Sequence, residues 1–319
     1  MDLRELDLGD GDASQRLALP DLLTLRPVDA DDGVGGAGPR TASEVSVFEG
    51  PVTTNTGSRV FGGLVLGQVV AAAAHTLPEG FAVHHLSGQF AGPADGHASL
   101  RFHVKHVRDG RAFALRTVEA VQHGRVVFAG LVSGYVGGEG IDHQASRLEG
   151  PDPQESPNGD SWYAPWPDHV RYTQRLEQEL GLELRFPGPP VHVAALRGEP
   201  TAPRQSVWVR SREPLPDLPD GRLDTLRHAA GLAYISDVLL LGSSLGPHRR
   251  TMFDPDVQVA TINHALWLHA PVRIDDWVRV DQSAPWSGNG TAMCRSELFA
   301  RDGRLVGSVG QESLIRILR

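Results

Sequence analysis

The chain contains one cysteine, Cys294, and one lysine, Lys105. A lone cysteine excludes an internal disulfide and any zinc site built on thiolates. With one lysine, nearly all positive charge is arginine. The net charge of −9 argues against nucleic acid or an anionic membrane as the main partner. The histidines lack metal-ligand spacing: His84 and His85 are adjacent, and His264 and His269 are five apart. No metal and no resident cofactor are expected. No apolar run reads as long enough to span a membrane. Met1-Asp2-Leu3-Arg4-Glu5 is too acidic for a signal or transit peptide. The cytoplasm is the expected compartment.

What remains is a polypeptide of 319 residues, enough for two domains or one large one. Residues 1–18 read as a frayed polar tail. Leu19 to Leu25 reads as a short capped helix, Asp29 to Pro39 as a loop and Ala42 to Phe48 as a strand. The apolar, alanine-rich run Leu64 to Ala74 predicts a helix buried on all sides. Gly63 and Gly67 lie one turn apart on it and let another backbone come close. A phosphate-cradling reading of Gly62-Gly63 is weak, since no Gly-Lys-Ser/Thr follows. Strand-like runs follow at Val83 to Phe90, Ala98 to Val107, Ala112 to Val121 and Val126 to Tyr135.

Residues 137–185 read as a linker carrying one exposed helix, Asp168 to Leu180, stopped by Gly181. Val191 to Leu196 and Ser206 to Ser211 look like strands. The helix-then-strands order then recurs. A buried helix is expected from Thr225 to Leu241, and strands at Val259 to Leu268, Trp277 to Ser283, Thr291 to Ala300 and Leu305 to Ile315. Individual residues repeat too. Pro93 falls on Pro271 and Arg101 on Arg279 (271 − 93 = 279 − 101 = 178). Arg116, Gly124 and Arg125 fall on Arg295, Gly303 and Arg304 (295 − 116 = 304 − 125 = 179). The chain is therefore read as α+β and duplicated: two tandem halves, 19–136 and 186–319, each an antiparallel sheet wrapped around a central helix.

Ala233 to Leu241 is almost wholly apolar and carries one carboxylate, Asp237. A carboxylate in such company loses water and is costly unless partnered. It either pairs structurally, with Arg227 or His228, or is poised for proton transfer. The duplication provides an internal control. Gln311 and Thr261, on apolar strands of the second half, match Val132 and Val83 of the first (311 − 132 = 179; 261 − 83 = 178). Aligning Gly231 with Gly63 by eye sets Asp237 opposite Val69. One half has valines where the other has Asp, Thr and Gln. Either one half alone keeps polar chemistry, or these are three unrelated buried polar residues.

The same residues carry a resemblance. Phe61-Gly62-Gly63 with Gly67-Gln68, Arg108-Asp109-Gly110, Gln122-His123-Gly124, Asp142-His143-Gln144, Tyr234-Ile235-Ser236-Asp237, Ala260-Thr261-Ile262-Asn263-His264 and Gln311-Glu312 resemble, in order, motifs of the bacterial type II acyl-CoA thioesterases. Coverage runs from about Leu19 to Ile317, poorly over residues 150–190. The resemblance implies a double hotdog fold and an acyl-CoA substrate, with a homo-oligomer, dimer or higher, expected. It implies hydrolysis by water activated at Asp237, Thr261 and Gln311. Backbone near Gly62 and Gly63 is the candidate oxyanion site, and Gly67 a further substrate-binding candidate. Two departures bear on substrate range: Leu64 stands where the family has Gln, and Ser87 where it has the second His of a His-x-x-His run.

Rival readings come from other classes. Gly242-Ser243-Ser244-Leu245-Gly246 fits Gly-x-Ser-x-Gly and would make Ser244 a nucleophile, but that motif needs a strand-turn-helix setting in a parallel sheet. A hotdog-type enoyl-thioester hydratase or dehydratase, and a non-catalytic acyl-thioester-binding protein, are the other two. Arg204, Arg210 and Arg212 are candidates for the CoA phosphates, or a solvated basic face.

Overall fold

A computed structural model describes residues 17–29, 45–52 and 59–318. Most of the expected tail, most of the loop after Asp29 and the start of the strand expected from Ala42 lie outside them. In chain order the elements are α1 (Leu19–Leu22), β1 (Arg26–Val28), β2 (Val45–Gly50), α2 (Gly62–Ala74), β3 (Ala82–Phe90), β4 (Leu100–Asp109), β5 (Phe113–Gln122) and β6 (Arg125–Tyr135). Then come α3 (Gly159–Tyr163), α4 (Pro167–Leu180), β7 (Leu182–Arg185), α5 (Val191–Leu196), β8 (Arg204–Ser211) and α6 (Thr225–Ile235). The strands β9 (Val257–Leu268), β10 (Val278–Gly288), β11 (Thr291–Ala300) and β12 (Leu305–Ile317) close the chain.

All twelve described strands form one sheet, ordered β1-β2-β4-β5-β6-β3-β9-β12-β11-β10-β8-β7. Every pairing is antiparallel. The halves join at β3 and β9, where Leu86 pairs with Leu266. Each half curls around its own helix, and α2 and α6 pack on each other, the double hotdog arrangement. Twelve of the thirteen residues of α2 are buried, which a helix apolar on every side requires.

Glycine sets how close the two helices come. A Cβ on Gly63 would lie 2.3 Å from the Tyr234 carbonyl oxygen, and one on Gly67 would lie 3.0 Å from that of Ala230. These contacts exchange with each other under one offset, since 230 − 63 = 234 − 67 = 167. The duplication is thus a two-fold relation in space. It moves the helix alignment by one: Asp237 matches Val70, and Ser236 matches Val69. Strand register makes a second correction. Arg116 pairs with Val132 as Cys294 pairs with Gln311, so Cys294, not Arg295, stands in Arg116's place.

Two expectations about elements fail. Helix α6 ends at Ile235, six residues before Leu241, and Leu239 enters the left-handed region at φ 59°. Carbonyls beyond the helix end are taken by glutamines from distant strands: Gln282 Nε2 donates to Val238 O (2.7 Å) and Gln205 Nε2 to Leu239 O (3.1 Å). Val191 to Leu196 is a helix, started after Pro190, whose fixed φ suits a helix entrance. The helical stretch 225–248 is also apolar enough to cross a membrane by length and composition, but 83% of its most apolar window is buried in the fold.

Residues 137–185 do more than link. β7 is one of the sheet's two described edge strands, and α4 stops at Gly181 in the left-handed conformation (φ 64°). The segment before α3 covers the outer face of the second half: Trp208 Nε1 donates to Pro151 O (3.0 Å), and Leu148 N to Asp281 Oδ2 (2.8 Å). Beneath it Arg279 and Asp281 form a buried ion pair.

Candidate active site

Asp237 lies two residues past the last residue of α6, in the turn that Gln282 and Gln205 hold. Its carboxylate faces the start of α2. A Cβ on Gly62 would lie 2.6 Å from Asp237 Oδ2, so only glycine leaves room for it there. The Thr261 hydroxyl on β9 donates to Asp237 Oδ1 (3.1 Å). Burial pushes the Asp237 pKa up to about 7; Thr261, the Gly63 backbone N–H and, more weakly, the Gln311 amide pull against it. The carboxyl is therefore poised between its two protonation states near neutral pH.

Gln311 is wholly buried on β12, and its amide makes two hydrogen bonds. Oε1 lies 2.7 Å from His264 Nδ1, and Nε2 donates to Ser313 Oγ (3.1 Å); the side chain also favours the charged form of Asp237. His264 continues the chain of contacts, its Nε2 lying 2.9 Å from Ser236 Oγ. Burial pushes the His264 pKa down to about 4, so this imidazole is neutral at physiological pH. Cys294, also buried, has its thiol pushed up to about 11 by burial, which leaves it an unreactive neighbour.

A cavity of ≈ 410 Å³ opens beside Asp237, walled by Gly62, Val65, Phe90, Pro93, Thr261 and Leu314 among others. Its walls are mainly apolar, and Arg59 is the charged side chain among its described lining residues. The two-fold relation produces a second cavity of ≈ 380 Å³, with Ala229 and Leu232 for Gly62 and Val65, and Val83 for Thr261. There the polar set is absent: Val69, Val70, Val83, Leu86 and Val132 are all buried aliphatics in the places of Ser236, Asp237, Thr261, His264 and Gln311.

The structure thus brings Asp237, Thr261 and Gln311 together from a turn and two strands. Gly62 lines the cavity, while the Gly63 N–H lies on the Asp237 side and favours the charged carboxylate. Gly67 does not line it: Gly67 sits in the helix crossing, and its neighbour Gln68 ties α2 to Leu22 O and Pro51 O (2.7 Å each). Leu64 and Ser87 do not line it either. Arg210 pairs with Glu183 and stacks on Trp277, and Arg212 pairs with Glu177, so both are engaged within the protein. Ser244 lies in a 3-10 turn with its hydroxyl bonded to Leu241 O (2.6 Å), far from the strand-to-helix elbow a serine nucleophile needs. Ser236 and His264 were missed as site residues by motif reading. The comparison of halves held the signal, because both replace buried aliphatics.

Residues 51–134 match the family described as acyl-CoA thioesterase N-terminal domain, and residues 148–315 its C-terminal domain. The mouse protein named acyl-coenzyme A thioesterase 8 is 32% identical over 82% of each chain. Acyl-CoA thioesterase 2 of Haemophilus influenzae is 26% identical over 81% of this chain and 88% of its own. Among solved structures, an acyl-CoA thioesterase II from Mycobacterium marinum superposes with a TM-score of 0.70 at 30% identity, covering 94% of this chain and 98% of that one.

Proposed function

The chain belongs to the acyl-CoA thioesterase II family, thioester hydrolases of double hotdog fold, and from that premise we propose that Asp237 is the base that activates water against the acyl-CoA thioester. The observation that carries this reading is a carboxylate that accepts from the Thr261 hydroxyl and lies against Gly62, directly behind two residues of an apolar cavity's wall, where burial lifts its pKa to about 7. A base is most effective when its pKa lies near the working pH.

The acyl chain and thioester occupy the cavity, with the carbonyl against Gly62. Water sits between Asp237, the Thr261 hydroxyl and the Gln311 amide, which hold it in line with the carbonyl carbon. Asp237 takes a proton as the water oxygen bonds to that carbon. The N–H of Gly62, first in α2 and with no carbonyl one turn back inside the helix, faces the developing oxyanion. The C–S bond then breaks, the proton passes from Asp237 to the departing sulfur, and free acid and CoA leave. Nothing in this sequence needs a metal or an acyl-enzyme.

A pre-steady-state experiment tests it. Mixing enzyme with excess acyl-CoA should release thiol without a burst, and intact mass after quenching should equal that of the free protein. A burst of one thiol per chain with an acyl adduct on Ser244 would overturn the direct-water route. Conversion of enoyl-CoA to hydroxyacyl-CoA without thiol release would point to a hydratase.

A further inference from the structure

Gln311 can help Asp237 only if its amide presents the NH₂ end to the carboxylate. A carboxylate accepts hydrogen bonds and donates none. The NH₂ group has two protons, one for Ser313 Oγ and one for Asp237 or its water. The amide oxygen must then face a donor, and what it faces is His264 Nδ1 at 2.7 Å. So Nδ1 carries the proton. The imidazole is neutral, hence Nε2 is an acceptor. Ser236 Oγ, 2.9 Å from Nε2, must supply the proton for it. The same hydroxyl lies 2.8 Å from Ala233 O and has only one proton to give. The carboxylate at the far end of the chain decides the choice.

We infer that Ser236 and His264 are positioning residues, a buried relay that selects the imidazole tautomer and through it the end of the Gln311 amide that faces Asp237. The relay runs across three elements, from the end of α6 through β9 to β12. The first half supplies the contrast. At the matching places it has Val69, Leu86 and Val132, all buried, so the fold itself asks for no polar groups there. The inference rests on Asp237 as the base. The other titratable groups on this side are His264 on β9 and Cys294 on β11. Burial holds the first near 4 and the second near 11, so neither changes charge across the assay range.

The reversed arrangement is specific in its consequence. If Nε2 loses its donor, the proton moves to Nε2 and Nδ1 becomes an acceptor. Gln311 then turns its NH₂ toward Nδ1 and its oxygen toward Asp237. The carboxylate loses a donor and meets a lone pair, which raises its pKa.

The test is Ser236→Ala, with Ser236→Thr as rescue and His264→Leu beside His264→Asn. Ser236→Ala is expected to lower kcat by roughly 10- to 100-fold, the scale on which hydrogen-bond partners behind a reacting group act. KM should stay within about two-fold, and the acidic limb of the pH–rate profile should move to higher pH. Ser236→Thr keeps the hydroxyl and should restore both. His264→Asn keeps an N–H for Gln311 and should be faster than His264→Leu. Wild-type kcat and an unmoved acidic limb in Ser236→Ala overturn the inference, and so do equal rates for His264→Leu and His264→Asn. If a histidine variant fails to fold, the serine pair decides alone. Should Asp237→Asn itself keep full activity, the base assignment fails first; if it loses activity while Ser236→Ala does not, only the relay is wrong.

Discussion

A carboxylate among aliphatic side chains persists only if its charge is answered. At Asp237 the answer is incomplete: Thr261, Gly63 and Gln311 donate, and burial still lifts the pKa to about 7 from 3.8. Two pH dependences of opposite sign follow. The base works deprotonated, so kcat/KM should rise through a pKa near 7 in stopped-flow or thiol-release assays. For stability, the folded protein holds this proton more tightly than the unfolded chain does. Stability from this group is therefore fully present below about pH 4 and lost as pH rises through about 7. The thermal midpoint of the wild type relative to Asp237→Asn should fall as pH is raised across that window; a constant difference would contradict the shifted pKa. At Gly62, a methyl group would lie 2.6 Å from Asp237 Oδ2. Gly62→Ala should cut kcat at least about ten-fold, as a displaced reacting group does, while the protein stays folded in calorimetry. Asp237, Thr261 and Gln311 were legible in sequence because a second copy of the fold shows valine in those settings. That the Gly63 N–H serves Asp237 was not legible, since it depends on how two helices meet.

At the scale of elements, the end of α6 decides whether a site exists. Residues 236–241 are apolar enough to continue the helix, and from local sequence a helix to Leu241 was the natural expectation. The stop comes from elsewhere. Gln282, wholly buried on β10, captures Val238 O at 2.7 Å, and Gln205 on β8 captures Leu239 O. Glutamines about 40 residues away in sequence leave no trace in a pattern of period 3.6. Gln282→Ala would strand a buried carbonyl, and a loss of about 1–3 kcal/mol is expected by chemical denaturation. Because the same bond holds the turn, kcat should fall with it. An unchanged denaturation midpoint would show that the turn holds itself. The misread helix at Val191–Leu196 has a plainer cause: six residues are too few for either period to declare itself, and its two valines favour a strand. The strands from β3 to β6 and β9 to β12 were legible because each is nine or more residues long, enough for a strand-like run to declare itself.

For the whole molecule, the duplication is an experiment already half done. Both halves present a cavity at equivalent places, and Ser236, Asp237, Thr261, His264 and Gln311 of the second half stand where the first has Val69, Val70, Val83, Leu86 and Val132. Val70, Val83 and Val132 should therefore behave as plain core. Truncation of each to Ala should cost roughly 0.5–3 kcal/mol through lost packing, with kcat per folded molecule unchanged. A fall in kcat there would mean that the first half takes part in the chemistry. The duplication itself was legible from offsets of 178 and 179, but its helices follow 167, because the segment between helix and sheet differs in length between the halves.

The most direct measurement is Asp237→Asn, assayed for turnover and thermal midpoint on the same preparation. The substitution keeps the shape of the side chain and removes its basicity. The expected result is a fall in kcat of roughly 10²- to 10⁴-fold, the usual worth of a positioned base, with a midpoint at neutral pH that holds or rises because a desolvated charge is gone. Turnover per folded molecule at the wild-type level, with a lowered midpoint, would make Asp237 a structural carboxylate and contradict the account.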